Sequence, residues 1–163
     1  MKTALEIANY FIEKSLESGE ELTPMKLNKL VYIAHGWYLG LADKPLIGEA
    51  AQAWKYGPVI PSVYHRFKSY GGAQITSLEP ASDMVTIPEV KDDELKEFLQ
   101  RIWDVYGRLS GLQLSSLTHQ EGTPWSVTRH RYGDNQDNGG AMIPNDLIKQ
   151  HYKGKVDARR KAA

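Results

Sequence analysis

The sharpest chemical candidate in this chain is the run His119-Gln120-Glu121. A histidine two residues before a glutamate is the HxE element with which zinc deaminases set a metal ligand beside a proton carrier. That chemistry also needs cysteine ligands, and the 163 residues contain none. His119 and His130 with Asp134 make a looser metal set, but their spacing fits no established zinc pattern. Acyl transfer needs a serine on a sharp turn beside a base. Ser110, Ser115 and Ser116 sit in no G-x-S-x-G elbow and have capping or surface explanations. Gly139-Gly140 is followed by no lysine, so no phosphate-cradling loop is present. Spacing alone singles out no acid–base pair among the 20 acidic residues. The expectation is therefore no catalytic site, no metal and no cofactor, with a hydrolase built on His119 and Glu121 as the weaker rival.

The other concentration of unusual residues is Trp54-Lys55-Tyr56-Gly57-Pro58-Val59-Ile60-Pro61-Ser62-Val63-Tyr64-His65-Arg66-Phe67. Gly57 supplies backbone freedom, and Pro58 and Pro61 lock their own φ and push the preceding residue toward extended geometry. Residues 56–61 thus read as a stiff extended link delivering Tyr64 and Phe67 onto a helix. Trp54, Tyr64 and Phe67 are expected in the core, with Tyr56 and His65 retaining exposure. A corner that holds its own shape also suits binding, because little ordering entropy is lost on docking.

The elements that position these residues are mostly helical. Residues 3–18 carry Leu5, Ala8, Ile12 and Leu16, widened by Ile7 and Phe11, with Gly19 as a stop. Thr23 caps a second helix and Pro24 suits its first position. Leu27, Leu30, Val31, Ala34, Tyr38 and Leu41 form one face of it, leaving Lys26 and Lys29 to water. Residues 47–56 are extended or a loop across the first two helices. Pro61 opens a short helix that Gly71-Gly72 ends. Residues 74–88 are irregular, with a weak hairpin between 74–77 and 84–87. Asp92, Asp93 and Glu94 open a longer helix with Leu95, Phe98, Leu99, Ile102, Tyr106 and Leu109 on its stripe. Ser110-Gly111-Leu112-Gln113 is a capping box, and Thr123-Pro124-Trp125 starts another helix. Residues 134–140 read as a polar loop, and Pro144 opens a last helix. The expected fold is mainly α: a compact single-domain bundle of about six helices with at most a small two- or three-strand sheet.

Composition bounds the rest. Hydrophobic residues make up 41%, enough for one ordinary core. No apolar run is long enough to span a bilayer, and Glu6 and Glu13 interrupt the stretch a signal peptide would keep apolar. With no cysteine, a cytoplasmic protein is expected. Net charge is zero, but residues 149–163 carry six cations against one anion, and residues 1–24 carry five acids against two cations. The basic end reads as a frayed, flexible tail from residue 153, or as a contact for an acidic partner or RNA.

Three runs, Thr23 to Tyr32, Glu49 to Tyr64 and Leu114 to Trp125, together resemble the Panacea domain, the family of the SocA-like antitoxins and the phage-associated GepA proteins. Thr23-Pro24-Met25-Lys26-Leu27-Asn28-Lys29-Leu30-Val31-Tyr32 is similar to that family's K-L-x-K-L-x-Y helix. The run from Glu49 through Ala53-Trp54, Tyr56-Gly57-Pro58-Val59, Pro61 and Tyr64 is similar to its most recognisable block. Leu114-Ser115-Ser116-Leu117-Thr118-His119, Glu121 and Pro124-Trp125 match a second block. The resemblance covers roughly residues 4–152, taken as the antitoxin domain. It implies an antitoxin that silences a cognate toxin by protein–protein contact, from a family that serves many unrelated toxins. It therefore does not name the toxin, and a protease or chaperone is a further candidate partner. Trp54, Tyr56, Tyr64, His65, His119 and Trp125 are the candidate partner-binding residues, and Gly57, Pro58, Pro61 and Pro124 the structural ones. Two rivals stand beside this reading. One is a nucleic-acid-binding regulator of its own operon, motivated by the basic end and weakened by zero net charge and no recognisable recognition helix. The other is an adaptor that delivers a partner to a protease.

Overall fold

The computed structural model describes residues 1–79, 87–133 and 140–162. Among them the chain forms seven α-helices and a small antiparallel sheet, a mainly α single domain. The helices are α1 (Ala4–Ser18), α2 (Pro24–Ala42), α3 (Pro61–Phe67), α4 (Asp93–Tyr106), α5 (Gly111–Thr118), α6 (Pro124–Tyr132) and α7 (Asn145–Ala162). The strands are β1 (Ala51–Trp54), β2 (Gly57–Val59) and β3 (Met142–Ile143), in the order β2-β1-β3.

Local chemistry explains most helix starts. Thr3 and Glu6 close a capping box on α1, and Ser110 and Gln113 close one on α5. Thr23, Asp92 and Thr123 accept from the third backbone N–H of α2, α4 and α6. Pro24, Pro61 and Pro124 occupy first-turn positions, where a missing donor costs nothing.

Helix α2 is the axis of the molecule. Every residue from Lys26 to Trp37 is buried, because α1, α3, α4, α5 and α7 all pack on it. A helix apolar on nearly all sides is a core helix. Its partner α7 approaches closely at Gly36: a Cβ there would lie 2.2 Å from the Tyr152 ring. Only glycine admits that ring, which stands edge-on to Trp37 with centroids 5.3 Å apart.

Several expectations are corrected by this packing. Lys26 and Lys29 do not face water; both are buried, because α2 has no solvent face along this stretch. Lys26 Nζ donates to the Glu21 and Gly107 carbonyls and lies 5.6 Å from the centre of the Trp103 ring. The basic end is not a frayed tail. It continues α7 to Ala162, with Val156 buried and the Arg159 guanidinium 4.6 Å from the centre of the Trp37 ring. Leu16 and Leu41 are exposed, although both fall on expected apolar stripes. Residues 74–77 form no strand. Gln74 instead accepts from Leu22 N, and Ile75 N donates to Leu22 O. Their proposed hairpin partner lies, except for Ile87, outside the described residues, as do Asp134 and nearly all of the 134–140 loop.

Candidate functional site

The aromatic corner folds as a β-hairpin. Gln52 pairs with Val59, Ala53 with Pro58 and Trp54 with Gly57, with Lys55 and Tyr56 at the turn. Gly57 has φ of +120°, a conformation that side-chain-bearing residues rarely adopt, and Lys29 Nζ would stand 3.1 Å from any Cβ placed there.

Side chains from three helices reach into this hairpin and hold its backbone carbonyls. From α2, Lys29 Nζ donates to Pro58 O at 2.7 Å and Asn28 Nδ2 to Ile60 O at 3.1 Å, while Asn28 Oδ1 accepts from Ile60 N at 2.8 Å. From α5, Ser115 Oγ donates to Tyr56 O at 2.6 Å. From α6, Trp125 Nε1 donates to Trp54 O, and Arg129 to Ala53 O at 3.2 Å. Glu49, just ahead of β1, accepts from the Ser62 N–H and hydroxyl, supplying the first turn of α3 with the cap that Ile60 lacks. Burial drives the Lys29 ammonium down to about 8. The three stretches of sequence that carry the resemblance are thus one device, a short hairpin clamped through its main chain.

The clamp sorts the candidate residues. Gly57, Pro58 and Pro124 are buried and Pro61 half-buried. Trp125 and His119 are half-buried, their rings 5.4 Å apart on the clamp side. Trp54 is half-buried rather than core, with its ring edge-on to Tyr64 at 4.7 Å and its Nε1 held by Gln52. Tyr64 is 41% exposed, which corrects the core expectation, because α3 turns its Phe67 and Val63 inward instead. Tyr56 is 66% exposed and His65 is exposed beside Tyr64, ring centroids 5.3 Å apart. The hairpin turn therefore presents Tyr56, and α3 presents Tyr64 and His65 beside it, with Tyr64 against Trp54.

Sequence reasoning missed Lys29, Asn28, Ser115, Arg129 and Glu49 as holders of the site. One signal was present: α2 carries apolar residues at Leu27, Leu30, Val31, Ile33 and Ala34, which span more than one face and leave no dry place for lysines except a partnered one.

Around His119, the Ser115 hydroxyl stands 3.4 Å from Nδ1 but already donates to Tyr56 O. Glu121 lies 3.1 Å from the exposed His130. Among the described residues, no group of three His, Asp or Glu could hold a metal ion, and no helix is long and apolar enough to cross a membrane.

The family profile described as "Antitoxin SocA-like, Panacea domain" matches residues 27–126, most of the chain and nearly all of the clamp. The chain belongs to the Panacea-domain family of SocA-like antitoxins. A curated relative, antitoxin SocA of Caulobacter vibrioides (strain NA1000 / CB15N), is 30% identical over 152 residues, covering 90% of this chain and 80% of the relative. No solved structure matches. Within this Panacea domain the profile ends at Ser126, so it takes in Trp125 and stops before the last clamping residue, Arg129.

Proposed function

We propose that this protein is a cytoplasmic antitoxin that silences a co-produced toxin by direct contact and without chemistry of its own. The observation that carries the reading is the clamped hairpin: its carbonyls are occupied from below, and Tyr56 at its turn and Tyr64 and His65 on the adjoining α3 are left exposed. Exposed tyrosines on a stiff support are efficient contact residues, since they bring large amphipathic area at little entropic cost. Membership of the SocA-like family supports the antitoxin role, and the relative's printed name agrees with it. The Ser115 hydroxyl beside His119 is committed to Tyr56 O, which favours contact over turnover.

The test is co-expression with the product of the adjoining gene. That product kills when made alone, and this protein restores growth. The double variant Tyr56→Ala, Tyr64→Ala keeps its helical circular dichroism and loses rescue. A product harmless by itself, or one that kills regardless, overturns the reading.

A further inference from the structure

A second surface lies at the other end of α2. From Lys29, which holds the hairpin, to Leu41 is twelve residues, roughly 18 Å of helix. There α2, α4 and α7 enclose a groove of about 260 Å³. Its floor is Trp37, Ile102 and Tyr106, and its walls are Leu41 and Val105, 55% and 51% exposed. The groove is smaller than the roughly 300–1,000 Å³ of a small-molecule pocket, which suits inserted side chains rather than a cofactor.

Charge says what those side chains accompany. Arg101, Arg159 and Arg160 line the groove, and among the described residues no acid does. Arg101 is paired with Glu97 at 3.0 Å and Arg159 lies over Trp37, while Arg160 has no ion-pair partner among the described residues. An arginine rim on an aromatic floor matches a peptide segment with apolar anchors flanked by Asp or Glu. It matches nucleic acid poorly, because affinity there comes from many phosphate contacts, on the order of six to ten, rather than an apolar floor.

We infer that this groove docks an acidic amphipathic helix of the toxin, as a second contact beside the hairpin tip. The inference rests on the antitoxin reading and extends it. A stable protein complex buries on the order of 800 Å² per partner, spread over roughly 20–30 residues a side, which Tyr56, Tyr64 and His65 cannot supply. The apolar anchors enter between Leu41 and Val105, and the flanking carboxylates face Arg160 and Arg101.

The experiment uses the full chain and the adjoining gene's product as probe, with Leu41→Asp, Arg160→Glu and, as a control on an exposed leucine away from both surfaces, Leu16→Asp. Leu41→Asp and Arg160→Glu are expected to weaken binding at least tenfold in calorimetry and to lose rescue, with melting temperatures unchanged. Leu16→Asp is expected to bind like the parent. In 0.5 M salt the parent loses affinity and Arg160→Glu loses little more. Rescue and affinity at parental levels in both groove variants overturn the inference while leaving the antitoxin reading standing. A product that this protein never neutralises takes both down. Two further results also overturn it: loss in Arg160→Glu of binding to duplex DNA from the operon's promoter, with toxin affinity intact, assigns the rim to nucleic acid; conversion of a dimer to a monomer by Leu41→Asp assigns the groove to a second copy of this chain.

Discussion

Replacing Lys29 by methionine tests the clamp at its most unusual member. The ammonium is buried, donates to Pro58 O at 2.7 Å, and is held down to about 8 against an ordinary 10.5 by desolvation. At about 1.4 kcal/mol per pKa unit, keeping this lysine charged at pH 7 costs the folded state on the order of 3 kcal/mol. The bond to Pro58 O returns about 1.5–3 kcal/mol, as hydrogen bonds from charged groups do. Lys29→Met removes both and leaves the Pro58 carbonyl without its donor, at about 1–3 kcal/mol, so at pH 7 its stability should lie within about 3 kcal/mol of the parent. The difference between the two appears as pH rises. Between pH 8 and 10.5 the unfolded chain binds more protons at this site than the native one, so the parent gains stability with pH. Below about pH 8 both states are protonated and the contribution is flat. The upper part of the window is bounded by Tyr32 and Tyr152, whose burial raises their pKa and which therefore reduce stability once unfolded tyrosines ionise near pH 10. Denaturant titrations at pH 7, 8, 9 and 10 should show the parent gaining roughly 2 kcal/mol relative to Lys29→Met. Parallel pH profiles for the two proteins would refute the claim that a buried cation holds the hairpin.

Three further outcomes follow from the packing. Gly36→Ala places a methyl group against the Tyr152 ring and should cost about 1–3 kcal/mol in chemical denaturation, more than an alanine in an open helix position would. Glu49→Ala removes the acceptor for Ser62 N–H at the start of α3 and should cost about 1 kcal/mol, read in the same titration. Trp54→Ala deletes a half-buried ring and should cost about 1–2 kcal/mol, below the roughly 3–5 of a fully buried one, while reducing toxin affinity measured by calorimetry.

Much of the helical frame was legible in the chain, and for a local reason. The Ser110–Gln113 and Thr123–Pro124 starts are written in residues three positions apart, and their chemistry is complete within one turn. The clamp was not legible in the same way, because its acceptors are backbone carbonyls, identical at every position. Nothing in the letters Ala53, Trp54 or Tyr56 marks their oxygens as partners for Arg129, Trp125 and Ser115. Lys29 was misread because a lysine's preference for water is a prior that a partner overrides. Tyr64 was misread because a seven-residue helix has room for few inward positions, and Val63 and Phe67 take them. The run of cations from Lys153 masked the continuation of the last helix, whose inward residues Ile148, Tyr152 and Val156 recur every four positions.

The timing of synthesis gives the clamp one more meaning. Ser115, Trp125 and Arg129 lie 59, 71 and 76 residues beyond the carbonyls they hold. A ribosome has therefore made the whole hairpin well before it makes the side chains that secure it. At about 5–20 residues per second, the tip waits several seconds for its last supports. A product cut short before α6 keeps Lys29, Asn28 and Ser115 but lacks Trp125 and Arg129, so its hairpin is only partly held. Only the finished chain carries the whole clamp.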